Sequence, residues 1–156
     1  MALVQLPFAM PFMWADTLLA AEQLYLLRLL SWGAASVLAG TALLAWHLIG
    51  RRGTALVQHF AIQTATWGTA ELALGAAAYT SLALRDIAGA TRLDRLLWLN
   101  IGLSVGFSLT GVVLVATGWY VGGVRRNSLA GAGMGVIVQG VALCILDLLL
   151  AAQISR

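Results

Sequence analysis

Residues 96–124 read LLWLNIGLSVGFSLTGVVLVATGWYVGGV, 29 positions without an Asp, Glu, Lys or Arg. A bilayer core of roughly 30 Å takes about 20 helical residues, so this stretch suffices for one crossing and is too short for two with a turn between them. Three other stretches behave alike. Twenty-two uncharged residues separate Arg28 from Arg51, and 32 residues broken only by Glu71 separate Arg52 from Arg85. A final 29, broken only by Asp147, run from Asn127 to Ser155. Spans are predicted near residues 24–48, 56–82, 96–121 and 130–153. The stretches are rich in Leu and Ala and lack regular polar alternation, which argues for helices. Backbone groups in lipid must be satisfied internally, and four strands cannot close a barrel. The expected fold is all-α, a four-helix transmembrane bundle over residues 24–153. Pro7 and Pro11 precede every span, so no proline kink is expected.

Composition agrees. Of 156 residues, 61% are apolar and 10% charged, against about 45–50% and about 25% in soluble domains. Fifteen charges cannot coat a soluble fold. That excludes a soluble enzyme and a disordered chain, and the single Cys144 excludes a disulfide-stapled module. The net charge of +3 comes from nine arginines and no lysine. They are scattered in ones and twos, so no nucleic-acid partner is expected.

Residues 1–23 are read separately. Pro7 and Pro11 interrupt helix formation in an apolar run containing Phe8, Phe12 and Trp14, which predicts an interfacial segment on the membrane or on a partner. Asp16 is the expected cap of the helix that follows. Trp14, Trp32, Trp46, Trp98 and Trp119 sit where interfacial anchors or helix-end packing would place them, and Trp67 lies deeper.

The two halves resemble each other. In each a span is followed by an arginine pair, Arg51-Arg52 or Arg125-Arg126, read as a tight loop. The next span then carries Gln63, Gly68 and Glu71, or Gln139, Gly140 and Asp147. This predicts two weakly similar helical hairpins with both arginine loops on one side, read as cytoplasmic with the termini outside. Stripes of small residues mark the expected helix contacts: Gly33 and Gly40, Gly68 and Gly75, Ser104 and Gly111, Gly133 and Gly140.

Few residues could do chemistry, and no hydrolase, kinase or dinucleotide motif is readable. Glu71 and Asp147 lead, because a carboxylate in lipid is costly and generally faces protein or water. They are candidates for a proton or cation site. Asp147 shares its helix face with Gly140 and is expected to point inward, paired with Arg28 or Arg95. Asn100, Gln63 and Gln139 are further intramembrane polar candidates. His47 and His59 flank the first arginine loop. They are the candidate ligands should a haem or chlorin bind, although no metal or cofactor is expected.

Several motifs resemble a family of uncharacterised bacterial four-span membrane proteins. They are Gln63-x3-Trp67-Gly68, Asn100-x-Gly102, Arg125-Arg126-Asn127, and Gln139-Gly140 followed by Asp147. The resemblance covers residues 24–153 and implies a multi-pass protein of the bacterial inner membrane, with no activity attached. Where that family usually has Asn, this chain has Glu71. The expected function is a non-catalytic subunit packing within or beside a larger membrane complex, an energy-transducing one among the options. The alternatives are a small dimeric transporter, coupled to protons or cations through Glu71 and Asp147, and a haem- or pigment-binding protein. Expected partners are the bilayer and other membrane subunits or a second copy.

Overall fold

A computed structural model describes residues 10–50 and 53–154 of the chain. Four helices run α1 (Met10–Gly50), α2 (Ala55–Thr80), α3 (Ile87–Val121) and α4 (Gly123–Ile154), and the described residues contain no strand. The all-α bundle read from the sequence is the fold. Three helical segments, Trp14–Gly50, Ile87–Val121 and Arg125–Ile154, are long and apolar enough to cross a membrane. Helix α2 is also long, at 26 residues, but Gln58, His59, Gln63, Glu71 and four threonines dilute its apolar content.

The helices outrun the predicted spans at three places. Helix α1 begins at Met10, so residues 10–23 continue the bundle instead of forming a separate segment, and Leu18 and Glu22 are buried in it. Pro11 lies within the described part of α1 and does not break the helix there. Asp16 is an exposed helical residue and caps nothing. Residues 1–9 lie outside the described residues, as do Arg51 and Arg52. Helix α3 starts nine residues earlier than predicted, at Ile87, because the Asp86 carboxylate accepts the Gly89 N–H at 2.7 Å. The second reversal is not made at the arginine pair. Gly122 and Gly123 turn the chain with φ of 66° and 60°, conformations open chiefly to glycine, and Arg125 and Arg126 already belong to α4. The Arg126 guanidinium lies 4.4 Å from the Trp119 ring centroid, a cation–π contact across that turn.

Helix α1 packs along α2, and α3 along α4; α4 also packs against α2 and, over a shorter length, α1. Glycines set both hairpin contacts. Gly33 meets Gly68 between α1 and α2, and Gly111 meets Gly133 between α3 and α4. Helices α2 and α3 make no close backbone approach, and the gap between them positions the candidate site.

The molecule is apolar outside, and its interior mixes apolar with polar side chains. Leu38, Leu74, Leu109, Val113 and Trp119 are exposed, whereas Ser36, Thr64, Glu71, Ser104, Gln139 and Asp147 are buried. Among the described residues the largest fully buried side chains are Gln139 and Asp147, both polar. A water-soluble core is built the other way round, whereas small contacts and internal polar groups are what lipid-embedded helices use.

Candidate functional site

Because α2 and α3 splay, a cavity of about 440 Å³ opens between them, closed behind by α1 and α4. One helix after another contributes to it. Helix α1 supplies Tyr25, α2 supplies Trp67 and Glu71, α3 supplies Asn100, Ser104 and Phe107, and α4 supplies Asp147. Each falls on its inward stripe or beside it. Trp67 and Phe107 meet edge to face with centroids 4.9 Å apart, the aromatic contact that bridges the α2–α3 gap.

The two acids differ in their surroundings. Asp147 is 2% exposed, and the Tyr25 hydroxyl donates to its Oδ1 at 2.7 Å. Glu71 is 4% exposed, and neither of its carboxylate oxygens has a hydrogen-bond partner among the described residues. Leaving a buried carboxyl unmatched is expensive, and among the described residues Glu71 is the one buried acid without a hydrogen-bond partner.

One turn of α1 beyond Tyr25, the Glu22 carboxylate is gripped at both oxygens by Arg85. The Nε donates to Oε1 at 2.6 Å and Nη2 to Oε2 at 2.8 Å. This fork ties α1 to the connection between α2 and α3. The hydrogen bonds to Glu22 hold the guanidinium proton more firmly than in free arginine.

Glu71 and Asp147 thus share one cavity, with Asn100 at its exposed edge. Gln139 and Gln63 lie elsewhere. Gln139 is buried between α4 and α1, where its Oε1 accepts the Trp32 Nε1–H at 2.7 Å and its Nε2 donates to the Ser36 hydroxyl at 3.1 Å. Trp32 is therefore a bridge between helices and not an interfacial anchor. Gln63 is half-buried where α2 meets Gly135 of α4. The arginine partner expected for Asp147 is replaced by Tyr25. Arg95 is exposed, and Arg28 lines a different recess with Ser31 and Trp32. A phenol supplies the one donor needed without bringing a second charge and its unmatched N–H groups into the bundle.

The histidines are remote from the cavity. His47 ends α1 with its Nδ1 buried and without a partner among the described residues, its ring filling the space beside Gly53. His59 is half-buried near the start of α2. No group of three or more His, Cys, Asp or Glu among the described residues is arranged to hold a metal ion.

Sequence reasoning missed Tyr25 and the Glu22–Arg85 pair, and had Ser104 only as a helix contact. Tyr25 follows Glu22 by three residues on the buried face of α1, and that spacing is the signal that could have found both. Their roles can be separated by mutation. Tyr25→Phe should lower the melting temperature in detergent by the equivalent of about 0.6–1.7 kcal/mol, the range for hydrogen bonds between membrane helices. Asp147→Asn, whose Oδ1 still accepts from the tyrosine, should melt near the parent. A large loss for Asp147→Asn with none for Tyr25→Phe would restore an arginine partner.

A family model, described as Family of unknown function (DUF6992), matches residues 28–148. The match contains Glu71, Asp147 and the aromatic pair, and leaves Glu22 and Tyr25 just outside it. No curated protein and no solved structure matches the chain.

Proposed function

The chain belongs to the family of unknown function DUF6992, and since that family brings no activity with it, we propose that the protein is a non-catalytic four-span subunit of a larger assembly in the bacterial inner membrane. One observation carries this reading: α2 is the helix least suited to face lipid, yet much of it is uncovered. Thr66, Thr69, Ala73, Ala76 and Ala77 are all exposed on it. Such residues gain little from contact with lipid tails and allow another helix to approach closely.

The bilayer boundaries follow from the aromatic residues. Exposed Trp98 and Trp119 stand 21 residues apart on α3, or about 31 Å along a helix, which matches a hydrocarbon core of roughly 30 Å. On this placement Asp147 sits close to one boundary, and the Glu22–Arg85 fork lies in the headgroup layer. The arginine-pair ends of the hairpins face the cytoplasm.

The test is purification of the full chain in mild detergent, with a cysteine introduced at Ala73 for crosslinking. Another membrane polypeptide should co-purify at fixed stoichiometry and crosslink at Ala73→Cys, but not at Val112→Cys on the exposed side of α3. A lone monodisperse chain that crosslinks at neither position overturns the reading.

A second reading is a small proton- or cation-coupled transporter, favoured by the meeting of Glu71 and Asp147 in one cavity. Flux in proteoliposomes that is unchanged by Glu71→Gln removes it.

A further inference from the structure

We propose that the cavity between α2 and α3 is a binding site for an organic ammonium ion, with Glu71 taking the cationic head and Trp67, Phe107 and Tyr25 receiving its alkyl or aryl groups. The proposal rests on the second reading above and names the ligand class of that site; it requires binding but not passage across the membrane.

The demand for a cation is set by Glu71. Its carboxyl group is buried, lines the cavity, and has no hydrogen-bond partner at either oxygen among the described residues. The Arg85 guanidinium is already committed, because it engages both oxygens of Glu22. Arg28 lines another recess and Arg95 is exposed. A ligand bringing a positive charge would therefore meet an acceptor that the protein leaves open. Asp147 adds a second negative group at the same cavity, with one oxygen held by Tyr25.

The size and lining of the cavity select an organic cation over a metal ion. A volume of about 440 Å³ is in the range of small-molecule sites and far exceeds a bare ion. Hard divalent cations take about six or more oxygen ligands, whereas the walls here are mostly Leu, Ala and aromatic rings. Aromatic faces attract ammonium groups, most strongly where water is excluded. A carboxylate among aromatic rings suits a charged head on an apolar body. Access is lateral, through the gap where α2 and α3 lack close backbone contact and where Leu74, Ala78, Asn100 and Leu103 are exposed.

The experiment is equilibrium binding of benzyltrimethylammonium to the purified full chain in detergent. Saturable binding of one ion per chain is expected. Glu71→Gln, nearly the same in shape, should weaken it by roughly tenfold or more. Ala70→Trp, which fills the cavity while leaving both acids in the chain, should abolish it. Both variants should keep the helical circular-dichroism spectrum, and if Glu71→Gln does not, Ala70→Trp together with the parent still decides. Absence of saturable binding to the parent overturns the proposal. So does equal affinity in Glu71→Gln, and so does displacement by sodium as effective as that by tetramethylammonium, which would mark an inorganic cation site. Binding without flux would remove the transport reading alone.

Discussion

Gly68→Val should wedge α1 from α2 and lower the melting temperature in detergent by roughly 5 °C or more, by overpacking. A Cβ at Gly68 would stand 2.7 Å from the Gly33 carbonyl oxygen, 2.7 Å from the Ser36 Cβ and 2.8 Å from the Val37 nitrogen. None of these is the free end of a flexible side chain, so relief requires movement of a whole helix. The contact is mutual, because a Cβ on Gly33 would reach the Gly68 carbonyl at 3.0 Å. Small residues are the means by which helices associate in lipid, where burial of apolar surface offers no advantage. Gly106→Val is the control. A Cβ there meets nothing within 4 Å, and its melting point should stay near the parent's. Equal melting temperatures for Gly68→Val and the parent would show that this crossing does not hold the hairpin together.

That contrast between Gly68 and Gly106 also marks how far the sequence could be read. Uncharged stretches revealed four helices, three of which contain segments long and apolar enough to cross a membrane. The same reasoning misplaced three helix starts, since it took charge as a boundary. Helices α1 and α3 run past the apolar stretches, with Glu22, Arg92, Asp94 and Arg95 inside them. For α3 the capping carboxylate of Asp86 decides where the helix begins, and hydropathy does not. The reversal before α4 depends on the positive φ of Gly122 and Gly123, which precede the arginine pair.

For the site, Glu71 and Asp147 were legible because an acid in an apolar run is expensive, and the expense is visible without coordinates. Their meeting in one cavity depends on α2 and α3 splaying, which no single-chain pattern encodes. Tyr25 and Trp32 were invisible as hydrogen-bond donors. An aromatic residue in an apolar stretch has the same appearance whether its polar tip points to the interface or to a buried acceptor. The structure points both tips inward, to Asp147 and to Gln139.

The Trp32 case gives the second large expected effect. Gln139→Leu should destabilise the bundle even though leucine fits an apolar interior and nearly preserves volume. Gln139 is 1% exposed and bridges two helices, accepting from the Trp32 Nε1–H and donating to Ser36. Because the indole can only donate, the amide oxygen must face it and the NH2 group must face Ser36. With leucine in place, the Ser36 hydroxyl can turn to a carbonyl of its own helix, but the indole N–H has no such local acceptor. An orphaned buried donor costs about 1–3 kcal/mol, while hydrogen bonds between membrane helices average about 0.6 and reach about 1.7 kcal/mol. The overlap of the two ranges predicts a loss of about 1–2 kcal/mol, a fall of several degrees in melting temperature. Trp32→Phe combined with Gln139→Leu removes both partners, and the double variant should therefore recover part of what Gln139→Leu loses. A double variant whose losses merely add would show that the indole N–H finds another acceptor, and that the Trp32–Gln139 bond contributes nothing to joining α1 to α4.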